Sequence, residues 1–293
     1  MSSTGAESDR HLAAHVDPRL ATVVALADAA GQTLLSRFRN SGDLDIAFKG
    51  PRDLVTIADR NSESLIIDGL RSEFPGHAIL AEESGGSRGV DPAEPTWIVD
   101  PLDGTTNFAH GHPMFAISIG LWRNGRAELG VVHAPALRET FAATRGGGTI
   151  WSQDGNGFVP VSVSEHCQLR DVVLATGFSY ERREIESGGL DAFAALLAAA
   201  RGMRRSGSAA LDLAYTAAGI LGGYWEYYLQ PHDVAAGALL VTEAGGRVTD
   251  VAGGDDYLQG GSIVAANPTL HDRIRQLLAA GPEHPGLGRQ EYL

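Results

Sequence analysis

The chain is poor in the residues that support several common protein classes. Its 293 residues include one cysteine, Cys167, so no disulfide can close within the chain, and a reduced, inert thiol is the expected state. No CxxC, HExxH or His/Cys cluster is present, which argues against a zinc site. Long apolar runs are also missing. The longest stretches, such as AALLAAA at 194–200, fall far short of the roughly 20 residues that span a bilayer. The first residues, MSSTGAESDRHLAAHVD, lack the apolar core of a signal peptide. Together these absences predict a cytoplasmic protein with no membrane partner. Basic charge is scarce too: 23 Lys and Arg against 36 Asp and Glu give a formal net charge of −13. That argues against nucleic acid as the main partner, because a phosphate backbone requires a basic footprint. A small phosphorylated ligand remains compatible where bound cations invert the local field.

A 43% hydrophobic fraction and 293 residues suffice for a large core, near the size at which a second lobe appears. Residues 1–17 and 281–293 read as polar tails. Leu20, Val23, Val24, Ala27, Leu34, Leu35 and Phe38 recur at helical spacing after Pro18, and a second helix is predicted from Thr56 with Leu65, Ile66 and Leu70 on one face. HAILAEES reads as a strand ending in two acids, and TWIVD as another. MFAISIGLW and AELGVVHAP flank Asn124-Gly125, a hairpin signal that ETFAAT extends to a meander. GGGTIW and QDGNGF read as turn-rich connections. From about residue 161, strands alternate with helices, as in an α/β lobe. The expected organisation is an α+β lobe over 18–160 and an α/β lobe over 161–280, with a soft boundary.

The informative stretch is WIVDPLDGTTNF, residues 97–108. Pro101 suits the second position of a β-turn, which would bring Asp100 and Asp103 together. Two converging carboxylates make an oxygen site for a hard cation such as Mg²⁺, and the Leu102 carbonyl can add a further oxygen. Gly104 removes a side chain where something must approach closely. The amides that open the following turn at Thr105 and Thr106 can hold an anion. Taken alone, each acid has a plainer role. Asp100 can cap a turn and Asp103 a helix, Glu82 and Glu83 can sit in a solvated loop, Asp59 can be the third residue of a capping box, and Asp233 can complement a helix dipole. What stands out is that several acids end separate elements in a chain without zinc ligands.

AEES, WIVDPLDGTTNF and LQPHDVAAGALLVTEAGG resemble three signature regions of the inositol monophosphatase family. DLVTIAD, GSAALDLAYTAAG and YWE resemble further parts, so the likeness runs from about residue 18 to about 275. The resemblance implies a layered αβαβα sandwich of the inositol monophosphatase/fructose-1,6-bisphosphatase type and a Mg²⁺-dependent, Li⁺-sensitive phosphomonoesterase. It implies metal ligation by Glu82, Asp100, the Leu102 carbonyl, Asp103 and Asp233. Two Mg²⁺ ions are expected, with room for a third, weaker one near Glu82 and Asp59. Asp59 and Thr105 match residues that orient and activate a water, and Gly104 and Thr105 match a phosphate-binding turn. Ser208, Ala209 and Glu226 match the lining of the alcohol pocket. Inositol 1-phosphate is the expected substrate. Histidinol phosphate, fructose 1,6-bisphosphate, NADP and 3′-phosphoadenosine 5′-phosphate are alternatives, as is an idle binding protein on the same scaffold. A homodimer is expected by the same analogy. Ala81, Trp225 and His232 depart from the usual Gly, Tyr and Trp of the pattern, which bears on the substrate rather than on the reaction. His232 reads as a packing or supporting group rather than an acid, and Trp225 as a core aromatic. Arg204 and Arg205 read either as substrate contacts or as surface charges.

Overall fold

The computed structural model describes residues 17–39, 47–48, 54–55, 57–84, 93–178, 189–259 and 261–280. Nearly all of both tails, and Thr56 at the expected start of the second helix, lie outside these. In chain order the elements are α1 (Pro18–Arg37), a short antiparallel pair β1 (Ala47–Phe48) and β2 (Leu54–Val55), α2 (Ile57–Glu73), β3 (Ala78–Ala81), β4 (Thr96–Asp103) and α3 (Thr105–Ala109). β5 (Ala116–Arg123), β6 (Arg126–Ala134), β7 (Glu139–Thr144), β8 (Gly148–Gln153) and β9 (Val159–Val161) form the meander. Then follow β10 (Val173–Thr176), α4 (Gly189–Ala199), β11 (Gly202–Arg204), α5 (Ala209–Ala217), β12 (Gly223–Tyr227), α6 (Pro231–Glu243), β13 (Arg247–Thr249), β14 (Ser262–Ala266) and α7 (Pro268–Ala279).

One sheet runs in spatial order β3 to β9, antiparallel except for the parallel β3–β4 pair. The other has the order β11-β10-β12-β14-β13. Asn124 and Gly125 both take positive φ, 52° and 70°, as the two-residue hairpin between β5 and β6 requires. The expectation of a turn-rich connection at GGGTIW is corrected: Gly146 and Gly148 make the turn, and Gly148–Gln153 is strand β8, register-paired with β7. The glycines masked the strand's short β-branched and aromatic run.

Side-chain alternation along the strands creates the layers. Trp97, Val99, Ile117, Ile119, Leu121 and Val131 pack outward under Leu20, Val23, Ala27 and Leu34 of α1 and Ile66 and Leu70 of α2. Ile98, Trp122, Val132 and Phe141 face the opposite way, onto α5 and α6, which also receive Tyr224, Ile263 and Ala265 from the second sheet. The alternate residues Trp225, Val264 and Ala266 of that sheet pack against α4 and α7. The result is the expected αβαβα sandwich.

Helix α6 is buried from Val234 to Val241 and sits between the two sheets. Its seat is unusually close. Gly120 and Gly130 are register partners on β5 and β6, and a Cβ on either would lie 3.0 Å from the Ala235 carbonyl carbon or 2.8 Å from the Ala236 carbonyl oxygen. Glycine at these two positions lets the helix backbone rest on the sheet backbone. That close approach sets where the N-terminus of α6, and hence Asp233, ends up.

Candidate functional site

The chain segment that carries Asp100 and Asp103 differs locally from its expected form. β4 does not end at Asp100 with a β-turn. It continues to Asp103 through a register shift, pairing Asp100 with Ser118 and Asp103 with Ala116 of β5. Pro101 has no N–H to give a ladder, which suits a bulge. The Leu102 amide donates to Asp100 Oδ1 at 3.0 Å, and the bulge turns both acids to the same side. Gly104 follows at φ 93°, where a Cβ would meet the Met114 carbonyl oxygen at 2.9 Å and the Gly207 carbonyl oxygen at 3.2 Å.

Three elements bring acids to this point. One carboxylate oxygen each of Asp100, Asp103 and Asp233 lies within 4.8 Å of the others, and so do single ligand atoms of Glu82, Asp100 and His232. Glu82 stands just past β3, its amide donating to the Val99 carbonyl at 3.2 Å. Asp233 lies in the first turn of α6, where its Oδ2 accepts the Gln230 amide at 2.6 Å. Asp103 accepts the Ser208 hydroxyl at 2.6 Å and the Ala210 amide at 2.7 Å, both on one oxygen. So α5 holds Asp103 from behind, with Ser208 as its N-cap and Ala209 as its first residue. Thr105 Oγ lies 3.1 Å from both Asp59 Oδ1 and the Leu102 carbonyl, and Asp59 is fully buried.

The electrostatics are those of an acid cluster short of counter-charge. Burial, then Glu82, Asp103 and Asp233, push the Asp100 carboxyl well above its usual range. Burial and Asp233 raise Asp103 to about 7 against the Ser208 and Ala210 hydrogen bonds. Burial raises Asp233 as well, with His232 opposing. Four carboxylates and a carbonyl with a spare lone pair, without a thiolate, form a donor set suited to a hard divalent cation, and such an ion would relieve the repulsion.

Beside this centre lies a cluster of polar side chains. Glu226 receives the Tyr224 hydroxyl at 2.5 Å, and a Cβ on Gly177 would come within 2.0 Å of its carboxylate, so the acid lies directly on the end of β10. Burial raises Glu226 to about 8. Asn107 Nδ2 donates to the carbonyls of Met114 and Ser206, tying α3 to the loop before α5. Asp212, nearly fully buried and raised to about 8 chiefly by burial, pairs with the Ser206 hydroxyl. Nothing in the sequence pattern marks Tyr224, Gly177 or Asn107 as part of a site. Asp212 stands out only as the one charge in the mostly apolar helix α5. Arg204 and Arg205 are exposed, and Arg205 reaches the Phe178 carbonyl at 3.3 Å. Trp225 faces the outer core, away from Tyr224 and Glu226, which leaves it no stacking role on a ligand.

The αβαβα sandwich thus brings acids from strand and helix ends to one point, next to an Asp–Thr pair, an arrangement that could hold a metal ion. The chain matches the inositol monophosphatase family over residues 15–283 and belongs to it. It is 42% identical to the inositol-1-monophosphatase of Mesorhizobium japonicum over 261 residues, 89% of this chain and 95% of that protein. It is 41% identical to the Nus factor SuhB of Escherichia coli over 262 residues, again 89% of this chain and 95% of that protein. Among solved structures, the extragenic suppressor protein suhB of Bartonella henselae superposes with a TM-score of 0.83 at 39% identity, covering 89% of this chain and 98% of that one. Among the described residues no helix is long and apolar enough to cross a membrane.

Proposed function

We propose that this protein is a Mg²⁺-dependent phosphomonoesterase that hydrolyses inositol 1-phosphate to inositol and phosphate. The observation that carries the reading is the convergence of Asp100, Asp103 and Asp233 within 4.8 Å, beside the Asp59–Thr105 pair. Glu82, Asp100, the Leu102 carbonyl, Asp103 and Asp233 would hold the ions. Mg²⁺ bound there supplies positive charge to the phosphoryl and leaving oxygens and acidifies water.

The chain's own groups do the rest. Thr105 directs its hydroxyl proton to Asp59, which leaves its lone pairs to accept a proton from the attacking water. As the water oxygen bonds to phosphorus, its proton passes to Thr105 and that of Thr105 passes to Asp59. The P–O bond to the alcohol breaks with its electron pair, and the alkoxide is protonated from solvent. The amides at Gly104 and Thr105 cradle the phosphate oxygens. Ser208 holds Asp103, and Ala209, the first residue of α5, would line the site of the alcohol. Glu226 meets the hydroxyls of the alcohol. A carboxyl that burial holds at about 8 suits a neutral polyol better than the ammonium of histidinol phosphate.

The name of the E. coli relative favours a second reading, a role as a Nus factor in which the same site is structural. Phosphate release, with Mg²⁺ and with EDTA, across inositol 1-phosphate, histidinol phosphate, fructose 1,6-bisphosphate, NADP and 3′-phosphoadenosine 5′-phosphate separates the two. Metal-dependent release with preference for inositol 1-phosphate is expected. No release from any of them would overturn the phosphatase reading and favour the second.

A further inference from the structure

The acids of the centre sit on segments that are far apart in sequence, and one face of α2 touches each of the segments that come from the first sheet. Asp59, Ser62 and Glu63 stand at i, i+3 and i+4, so they share a face. All three are buried: Asp59 and Ser62 completely, Glu63 to 5% exposure. Their partners differ. Asp59 meets Thr105 at the start of α3. The Ser62 hydroxyl donates at 2.9 Å to the carbonyl of Pro101, inside the bulge between Asp100 and Asp103. Glu63 Oε2 accepts the amide of Glu83 at 2.7 Å, and that amide belongs to the peptide group that carries the Glu82 carbonyl.

We propose that Glu63 and Ser62 are positioning residues for the metal centre, Glu63 setting the backbone that presents Glu82 and Ser62 setting the bulge that presents Asp100 and Asp103. The proposal rests on the metal-centre reading above. The backbone at Glu82 is held from one side by β4, through the Val99 carbonyl, and from the other by α2, through Glu63. Just past the end of a four-residue strand, those two bonds help to fix where the Glu82 side chain starts. The bulge is a comparable case. Pro101 gives no N–H to a neighbouring strand, so the Ser62 hydroxyl on its carbonyl supplies an anchor from outside the sheet. A carboxyl buried on a helix face is costly unless it is hydrogen-bonded. The hydrogen bond of Glu63 to the Glu83 amide makes sense as a means of fixing that amide. Groups that hold metal-binding carboxylates in place typically contribute about 10–100-fold to metal affinity.

The test is Mg²⁺ uptake by the full-length protein, measured by titration calorimetry, together with the Mg²⁺ dependence of phosphate release and circular dichroism to confirm the fold. Glu63→Ala is expected to raise the Mg²⁺ concentration for half-saturation about tenfold or more, with little change in substrate KM at saturating Mg²⁺. Glu63→Gln keeps an acceptor oxygen and is expected to stay within about threefold of the native protein. Ser62→Ala loses one hydrogen bond and is expected to weaken Mg²⁺ by about threefold or more. A folded Glu63→Ala protein with native Mg²⁺ binding overturns the role of Glu63, as does a Glu63→Gln protein as weak as Glu63→Ala. If Glu63→Ala does not fold, Ser62→Ala decides, and native Mg²⁺ binding in that variant overturns the proposal. Native protein that takes up no Mg²⁺ overturns the metal-centre reading itself, a result distinct from native uptake with insensitive variants.

Discussion

Replacing Gly130 by Ala tests whether the sheet surface sets the position of Asp233. The new Cβ would lie 2.8 Å from the Ala236 carbonyl oxygen and 3.1 Å from its Cα, both backbone atoms of a buried helix that cannot rotate away. Ordinary Cβ contacts begin near 3.4 Å, so α6 must retreat by about 0.6 Å. Asp233 lies three residues upstream on the same rigid helix and moves with it. Overpacking of this kind costs about 1–3 kcal/mol, and the smaller unfolded-chain entropy of Ala offsets about 0.4–1 of that. The expected net loss is about 0–2.6 kcal/mol, read as a lower urea midpoint with an unchanged slope. A misplacement near 1 Å in a catalytic constellation can cost about 100-fold in rate, so a loss of about tenfold is expected here, with a higher Mg²⁺ requirement. Urea melts and phosphate release against Mg²⁺ concentration measure both effects. Stability within about 0.5 kcal/mol of native, with an unchanged Mg²⁺ requirement, would refute the idea that the Gly120–Gly130 seat places Asp233.

Three further outcomes follow from the site. In the absence of divalent metal, stability should fall as pH rises from about 4 to about 7, because folded Asp103, held near 7 by burial and Asp233, binds a proton that the unfolded chain has already released. Asp100, also raised, acts in the same direction, so the thermal stabilisation given by Mg²⁺ should be larger at about pH 8 than at about pH 5; an increment independent of pH would argue against metal binding at these acids. Thr105→Ala should lower kcat by about 100-fold or more while calorimetric Mg²⁺ binding stays near native, and an unchanged kcat would remove Thr105 from proton transfer. Glu226→Ala should raise KM for inositol 1-phosphate while sparing turnover of a small aryl phosphate, and equal losses on both substrates would move Glu226 out of alcohol recognition.

The parts of the site legible in the sequence are those where a residue type has few alternative explanations. A string such as Asp-Pro-Leu-Asp-Gly-Thr-Thr combines a proline without a donor, a glycine at positive φ and two acids, and its meaning survives without knowledge of neighbours. The helices were legible because apolar spacing reports burial directly, as at Leu20, Val23, Ala27 and Leu34. The bulge was not legible, because a β-turn and a bulge both place the acids near each other and differ only in whether β5 pairs on both sides of Pro101. Ser62 and Glu63 were also invisible. NSES reads as the wet side of a helix, and only the packing of α2 against the ends of β3 and β4 puts those side chains inside. Asp212 is hidden for the opposite reason, as a lone charge within a mostly apolar helix.

The central position of α6 bears on the order in which the protein matures. Asp59, Glu82, Asp100 and Asp103 leave the ribosome well before Asp233, and the helix bearing Asp233 is apolar on nearly every side. Such a helix has no stable place until both sheets exist to receive it. A nascent or truncated chain would hold the earlier acids without the one that completes them. Tight cation uptake would therefore appear late and in one step, as a sign that the last layer has closed.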